Sequence, residues 1–149
     1  MDARHAYRDA AVRSASPVRL VVLLYEQIIQ DLRGALTAIE NQDIEARTKE
    51  LDHALLVVGQ LQATLNVEQG GQVARNLDGY YGAMRASLLE AQFKVSPEIL
   101  RKQIANLLTL REAWVQVEGA TAAPASPPAS AAGNTDGPAH GAAPADWKV

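Results

Sequence analysis

The sequence contains no cysteine, few aromatic residues and no long apolar run. Without cysteine, a disulfide framework, a zinc-thiolate site and a cysteine nucleophile are all excluded. The longest apolar run extends from Leu20 to Tyr25, whereas a helix that spans a bilayer needs about 20 apolar residues. Residues 1–16 carry several charges and lack the apolar core of a signal peptide. We therefore expect a soluble, cytoplasmic protein without membrane insertion.

The charge balance argues against a nucleic-acid partner. Lysine and arginine number 14, aspartate and glutamate 17, and the formal net charge is -3. A protein that binds nucleic acid usually presents a strongly basic surface to the phosphates. We therefore predict that the protein does not bind nucleic acid.

The composition changes at residue 119, after which alanine, proline, glycine and serine predominate. Five prolines prevent a continuous helix, and no large apolar residue is available for burial before Trp147. We predict a disordered tail over residues 119–149. It is either a solvated appendage or a segment that docks through Trp147.

Residues 17–118 are predicted to be helical almost throughout. Serine–proline pairs at Ser16 and Ser96, and an aspartate at Asp43, are typical helix N-terminal caps. Gly70-Gly71 predicts a turn. The predicted helices are 17–41, 44–65, 71–93 and 97–118. Short connections favour antiparallel neighbours, so the predicted fold is all-α: an antiparallel up-down four-helix bundle, with residues 1–16 forming a short N-terminal cap helix.

The first predicted helix has more apolar surface than one core stripe requires. A first stripe consists of Val21, Leu24, Ile28, Leu32, Ala35 and Ile39, and a second lies beside it. Either crooked packing of the helices or the segment before Ser16 covers the surplus, or the surplus forms an exposed groove for partner helices. The groove residues would be Val18, Val22, Tyr25 and Ile29, with Tyr7 of the N-terminal segment as a displaceable plug.

Catalytic and metal-binding patterns are weak. Glu50 and His53 have the Glu-x-x-His spacing of di-iron bundles, but one such motif is insufficient, and His53 lies opposite the core stripe. We predict no metal, no cofactor and no enzymatic activity. An exposed histidine on a helical bundle also suits a phosphotransfer module, although such modules carry a lysine three positions later, where this chain has Leu56.

Several short runs form a recognisable series along the chain. They are Ala6-Tyr7, Ser14-Ala15-Ser16-Pro17, Leu23-Leu24-Tyr25, Ala38-Ile39-Glu40-Asn41 with Asp43, Leu61-Gln62-Ala63-Thr64-Leu65-Asn66, Ala74-Arg75-Asn76-Leu77, Tyr80-Tyr81, Leu88-Leu89-Glu90-Ala91 and Ala113-Trp114. Taken together, in this order and spacing, they resemble the flagellar secretion chaperone (FliS) family over about residues 5–117. The tail departs from the short charged C-terminus usual in that family.

The resemblance implies a cytoplasmic chaperone that binds the C-terminal helical segment of flagellin. Such a chaperone prevents premature polymerisation and presents flagellin to the type III export gate, and other flagellar regulators are further possible partners. The resemblance also implies that Tyr7 belongs to a cap over the groove. The alternative is a regulatory bundle, either phosphotransfer-like or self-associating; we expect a monomer or a weak homodimer. Ile29→Asp should abolish flagellin binding and preserve helicity, unless Ile29 is a core residue.

Overall fold

The computed structural model describes residues 16–122, with side chains to residue 119, and these residues form four helices. The N-terminal cap predicted over residues 1–16, including Tyr7, lies outside the described residues except for Ser16. The tail predicted over residues 119–149 lies outside them except for residues 119–122, which belong to the last helix. The predicted all-α fold is confirmed. The helices are α1 (Pro17–Glu40), α2 (Ile44–Ala63), α3 (Val67–Lys94) and α4 (Pro97–Ala122).

Each helix is preceded by a capping residue, whose side chain accepts a hydrogen bond from a backbone N–H group of the first turn. Such a cap compensates one of the four N–H groups that have no partner within the helix. The predicted caps are confirmed, and Asn66 joins them. Ser16, Asp43, Asn66 and Ser96 accept from the backbone of Arg19 (3.1 Å), Ala46 (3.0 Å), Gln69 (3.0 Å) and Ile99 (3.2 Å), respectively.

Two predicted helix boundaries differ by four residues from those of the structure, and the others lie within two residues. The predicted break at Gly70-Gly71 is confirmed, but a short helical stretch capped by Asn66 precedes it, so that α3 begins at Val67 rather than at residue 71. Gly71 there has φ 58° and ψ -135°, a local break in a region that glycine enters at little cost. α4 continues to Ala122 rather than ending at residue 118.

The helices are antiparallel to their neighbours, as predicted. α1 packs against both α2 and α4, and α3 packs more sparsely against the same two helices. Arg19, near the start of α1, pairs with Glu118, near the end of α4, at 3.5 Å. Farther along, Arg111 contacts Glu26 at 2.6 Å. The antiparallel up-down bundle is thereby confirmed.

The core is centred on α1. Five consecutive residues, from Val21 to Tyr25, are buried, which requires cover on every side of the helix. The other helices contribute one stripe each, led by Leu51 and Leu61 of α2, Tyr81 of α3 and Leu107 of α4. Burying a side chain of this size contributes roughly 1.5–3 kcal/mol.

Candidate partner-binding surface

The four predicted groove residues lie together on α1, but the chain itself covers them. Val22 and Tyr25 are fully buried, Ile29 is nearly so, and Val18 is partly buried against the core. In the unbound protein this row is therefore packed within the core rather than open to solvent. Binding through these four residues stays a prediction. Tyr7, the predicted plug, lies outside the described residues.

Tyr25 joins three helices at the centre of the bundle. Its hydroxyl shares a 2.7 Å hydrogen bond with that of Tyr81 on α3, and the two rings meet edge to face with centroids 6.3 Å apart. Burial raises the pKa of both tyrosines, whereas the neighbouring Trp114 side chain on α4 acts in the opposite direction on Tyr25. The pair therefore remains neutral at physiological pH. Tyr81 and Met84 are core residues.

A buried carboxylate, which the wheel positions had not revealed, links α1 to α2. Asp31 is only 4% exposed, accepts from Nε2 of Gln27 at 2.9 Å and lies 2.6 Å from Nδ1 of His53. The His53 side chain is 46% exposed, so the expected exposure of this histidine is confirmed. On the helical wheel, Asp31 falls beside Leu24 within the apolar arc. A polar residue at such a position could have indicated a buried carboxylate.

Sequence reasoning also missed the apolar residues that the bundle leaves in solvent on α3. Phe93 is 87% exposed and Leu89, one turn earlier on the same side of the helix, is about half exposed. Leu56 on α2 and Leu108 on α4 are exposed too. Val57, which follows Leu56 on α2, is buried. The open apolar surface is thus spread over several helices.

Two further observations limit the chemistry of the described region. Between residues 16 and 122, no group of three or more histidine, aspartate and glutamate side chains is placed to hold a metal ion. Over the same stretch, no helix combines the length and the apolar character that crossing a membrane would require. What the described surface does offer is apolar and charged contacts of the kind that proteins make with each other.

A family model and individual relatives of known name point to the same protein family. The family model described as "Flagellar protein FliS" matches residues 1–121, which include all but the last residue of α4. The chain is 33% identical to the flagellar secretion chaperone FliSB of Pseudomonas aeruginosa over 106 residues, covering 71% of this chain and 84% of that protein. It is 32% identical to FliS of Campylobacter jejuni over 115 residues, covering 77% and 90%. With FliS of Vibrio cholerae it shares 29% identity over 109 residues, covering 73% and 80%.

Proposed function

Because the chain belongs to the flagellar secretion chaperone FliS family, we propose that it is an export chaperone for flagellin. In this proposal it binds the C-terminal segment of flagellin in the cytoplasm, prevents premature polymerisation and delivers the subunit to the type III export gate. The family consists of chaperones without enzymatic activity, which agrees with the absence of a catalytic pattern in the sequence. The observation that carries the proposal is a family match extending through all four helices rather than over one motif.

The α1 surface supplies a physical basis for binding a helical segment. Val18, Val22, Tyr25 and Ile29 follow the three- and four-residue spacing with which one helix presents a side to another. An amphipathic helix of flagellin can bury its apolar side against the partly exposed Val18 end of this row, whereas at Tyr25 it would have to displace side chains of the bundle, such as Tyr81. No cofactor or nucleotide is needed, and the complex is stoichiometric.

Calorimetric titration of the full-length chain with a peptide from a flagellin C-terminus tests the proposal. We expect one-to-one binding and a gain of helicity, because a disordered segment that folds on binding gains structure in the complex. The absence of heat and of helicity gain, for a folded chain, would contradict it. Sedimentation at several concentrations shows whether self-association competes with the peptide.

The burial of Ile29 changes the choice of variant. Ile29→Asp would place a carboxylate in the core and unfold the bundle, so it cannot separate binding from folding. Val18→Asp is better suited, because Val18 lies in the first turn of α1 and is only partly buried. We expect weaker flagellin binding with helicity retained. The matched control is Leu56→Asp, which places the same charge on an exposed leucine of α2.

A second candidate function, phosphotransfer, receives some support from His53. Its Nδ1 contacts the buried Asp31, and an exposed imidazole held through Nδ1 presents its other nitrogen to solvent. Incubation with a phosphorylated partner kinase, followed by detection of phosphohistidine in wild type and His53→Gln, decides this point. The family membership favours the chaperone function.

A further inference from the structure

The outward side of α4 carries an apolar site that the bundle does not use. Leu108, Thr109, Glu112, Ala113 and Gln116 line a shallow surface cavity of about 460 Å³, and we call these five residues the α4 patch. Leu108 is 42% exposed, although it is a large apolar residue in the middle of a long helix. All five described lining residues belong to α4.

We propose that Trp147, in the C-terminal segment of the same chain, docks on the α4 patch. Residues 123–149 follow α4 directly, and Trp147 is their only tryptophan, tyrosine or phenylalanine. An indole provides a large apolar contact with few rotatable bonds, which keeps the entropic cost of docking low. The surrounding alanine, proline, glycine and serine offer no comparable side chain.

The length of the intervening chain permits this contact. Trp147 follows Ala122 by about 25 residues, which can span roughly 85 Å when extended. Leu108 precedes Ala122 by 14 residues, about 21 Å along the helix. A linker of this kind gives an effective concentration on the order of 1 mM, so a contact too weak for separate molecules is well populated within one chain. Phe93 is more exposed, but it lies beyond the opposite end of α4, roughly 40 Å from Ala122. Reaching it would require the linker to extend about twice as far as reaching Leu108.

Charges next to the two contact partners are complementary. Trp147 stands between Asp146 and Lys148. On α4, the exposed Arg101 lies two turns before Leu108 and the exposed Glu112 lies one turn after it, on the same side of the helix. Opposite charges pair when the docked segment runs in the same direction as α4. The available chain length lets the segment pass the patch and return in that direction.

The test uses the full-length chain labelled with 5-fluorotryptophan, which gives one ¹⁹F signal for Trp114 and one for Trp147. Trp147→Phe identifies the second signal. We expect that signal to be shifted from its position in a labelled synthetic peptide of residues 123–149, at every protein concentration. Leu108→Asp should return it to the peptide position. The matched control Leu56→Asp, which alters an exposed leucine of α2, should leave it shifted.

Three outcomes would overturn the proposal. In the first, Trp147 gives the peptide signal in the wild-type chain; in the second, Leu56→Asp has the same effect as Leu108→Asp. In the third, the shift depends on protein concentration, which would make a second copy the occupant. If Leu108→Asp fails to fold, Trp147→Ala provides an independent measurement. It should shift the methyl signals of Leu108 and leave those of Leu56 unchanged, and unshifted Leu108 signals would refute the docking.

Discussion

Removing either of two buried tyrosine hydroxyls is expected to destabilise the bundle. The losses of the two single variants should together exceed the loss of the double variant. The hydroxyls of Tyr25 and Tyr81 lie 2.7 Å apart, and both residues are fully buried. A buried polar group that loses its partner costs about 1–3 kcal/mol, whereas removing both partners is nearly neutral. Tyr25→Phe should lower the free energy of unfolding by about 2–3 kcal/mol, because both Tyr81 and the neighbouring Trp114 lose the Tyr25 hydroxyl as a hydrogen-bond partner. Tyr81→Phe should cost about 1 kcal/mol, because Trp114 still lies beside the Tyr25 hydroxyl.

Urea unfolding of the wild type, the two single variants and the double variant, followed by circular dichroism, measures this cycle. With a typical dependence of stability on urea, a loss of 2 kcal/mol lowers the midpoint by about 1 M. We expect the double variant to lose about 1–2 kcal/mol less than the two single variants combined. Additive losses would refute the hydrogen bond as an energetic unit, and no loss in Tyr25→Phe would show that its hydroxyl is hydrated.

The same proteins make a prediction at high pH. Burial raises the pKa of Tyr25 and Tyr81 in the folded chain, whereas an unfolded tyrosine titrates near about 10. Above that pH the unfolded chain loses protons that the folded chain keeps, so stability falls as pH rises. Each tyrosine lowers the free energy of unfolding by up to about 1.4 kcal/mol per pH unit above the pKa of the unfolded tyrosine. Below that pKa, neither tyrosine makes stability depend on pH. Between pH 10 and 11 the double variant should lose stability less steeply than wild type; equal slopes would contradict the assignment.

Substitutions at glycine and histidine positions extend these tests. Gly79→Ala and Gly82→Ala, in the interior of α3 with nothing within 4 Å of the added methyl group, should each raise stability by about 0.5–1 kcal/mol in thermal unfolding. Gly71→Ala should instead lower it by about 1 kcal/mol, because φ there is 58°; a gain would mean that the break straightens. His53→Ala should cost about 1–3 kcal/mol by removing a hydrogen bond to the buried Asp31. His53→Asn, which keeps a donor near the position of Nδ1, should recover part of that loss, and equal losses would show that packing dominates.

The number of helices and most of their ends were predictable because capping is local chemistry. Ser16, Asp43 and Ser96 each act on a backbone N–H group three residues later, so a short stretch of sequence contains all the information. The glycine pair correctly indicated a break, and only the short helical stretch before it was missed. Here Asn66 caps the helix earlier, and Gly71 absorbs the break within it.

The accessibility of the α1 surface could not be derived in the same way. A helical wheel gives the direction of each side chain, but it does not show what lies in that direction. Val22 and Tyr25 were correctly placed beside the first apolar stripe, yet their burial depends on residues distant in sequence, such as Tyr81. The same limitation applies to Asp31, whose partner His53 belongs to another helix.

The burial of α1 has a consequence for how a flagellin helix would bind there. Because Val22 and Tyr25 are already out of water in the free chain, covering them with a partner exchanges one apolar contact for another. Burial of apolar surface gives a negative heat-capacity change on binding, and exchanged surface contributes little to it. A helix that replaces the cover of α1 should therefore give a smaller heat-capacity change than its contact area implies. A helix that covers open surface, such as Leu89 and Phe93 of α3, should give the full heat-capacity change.

Titrations at several temperatures, with Val18→Asp and Phe93→Ser as variants, distinguish the two binding modes. If the change is large and only Phe93→Ser reduces it, flagellin binds α3 and the predicted groove on α1 is wrong.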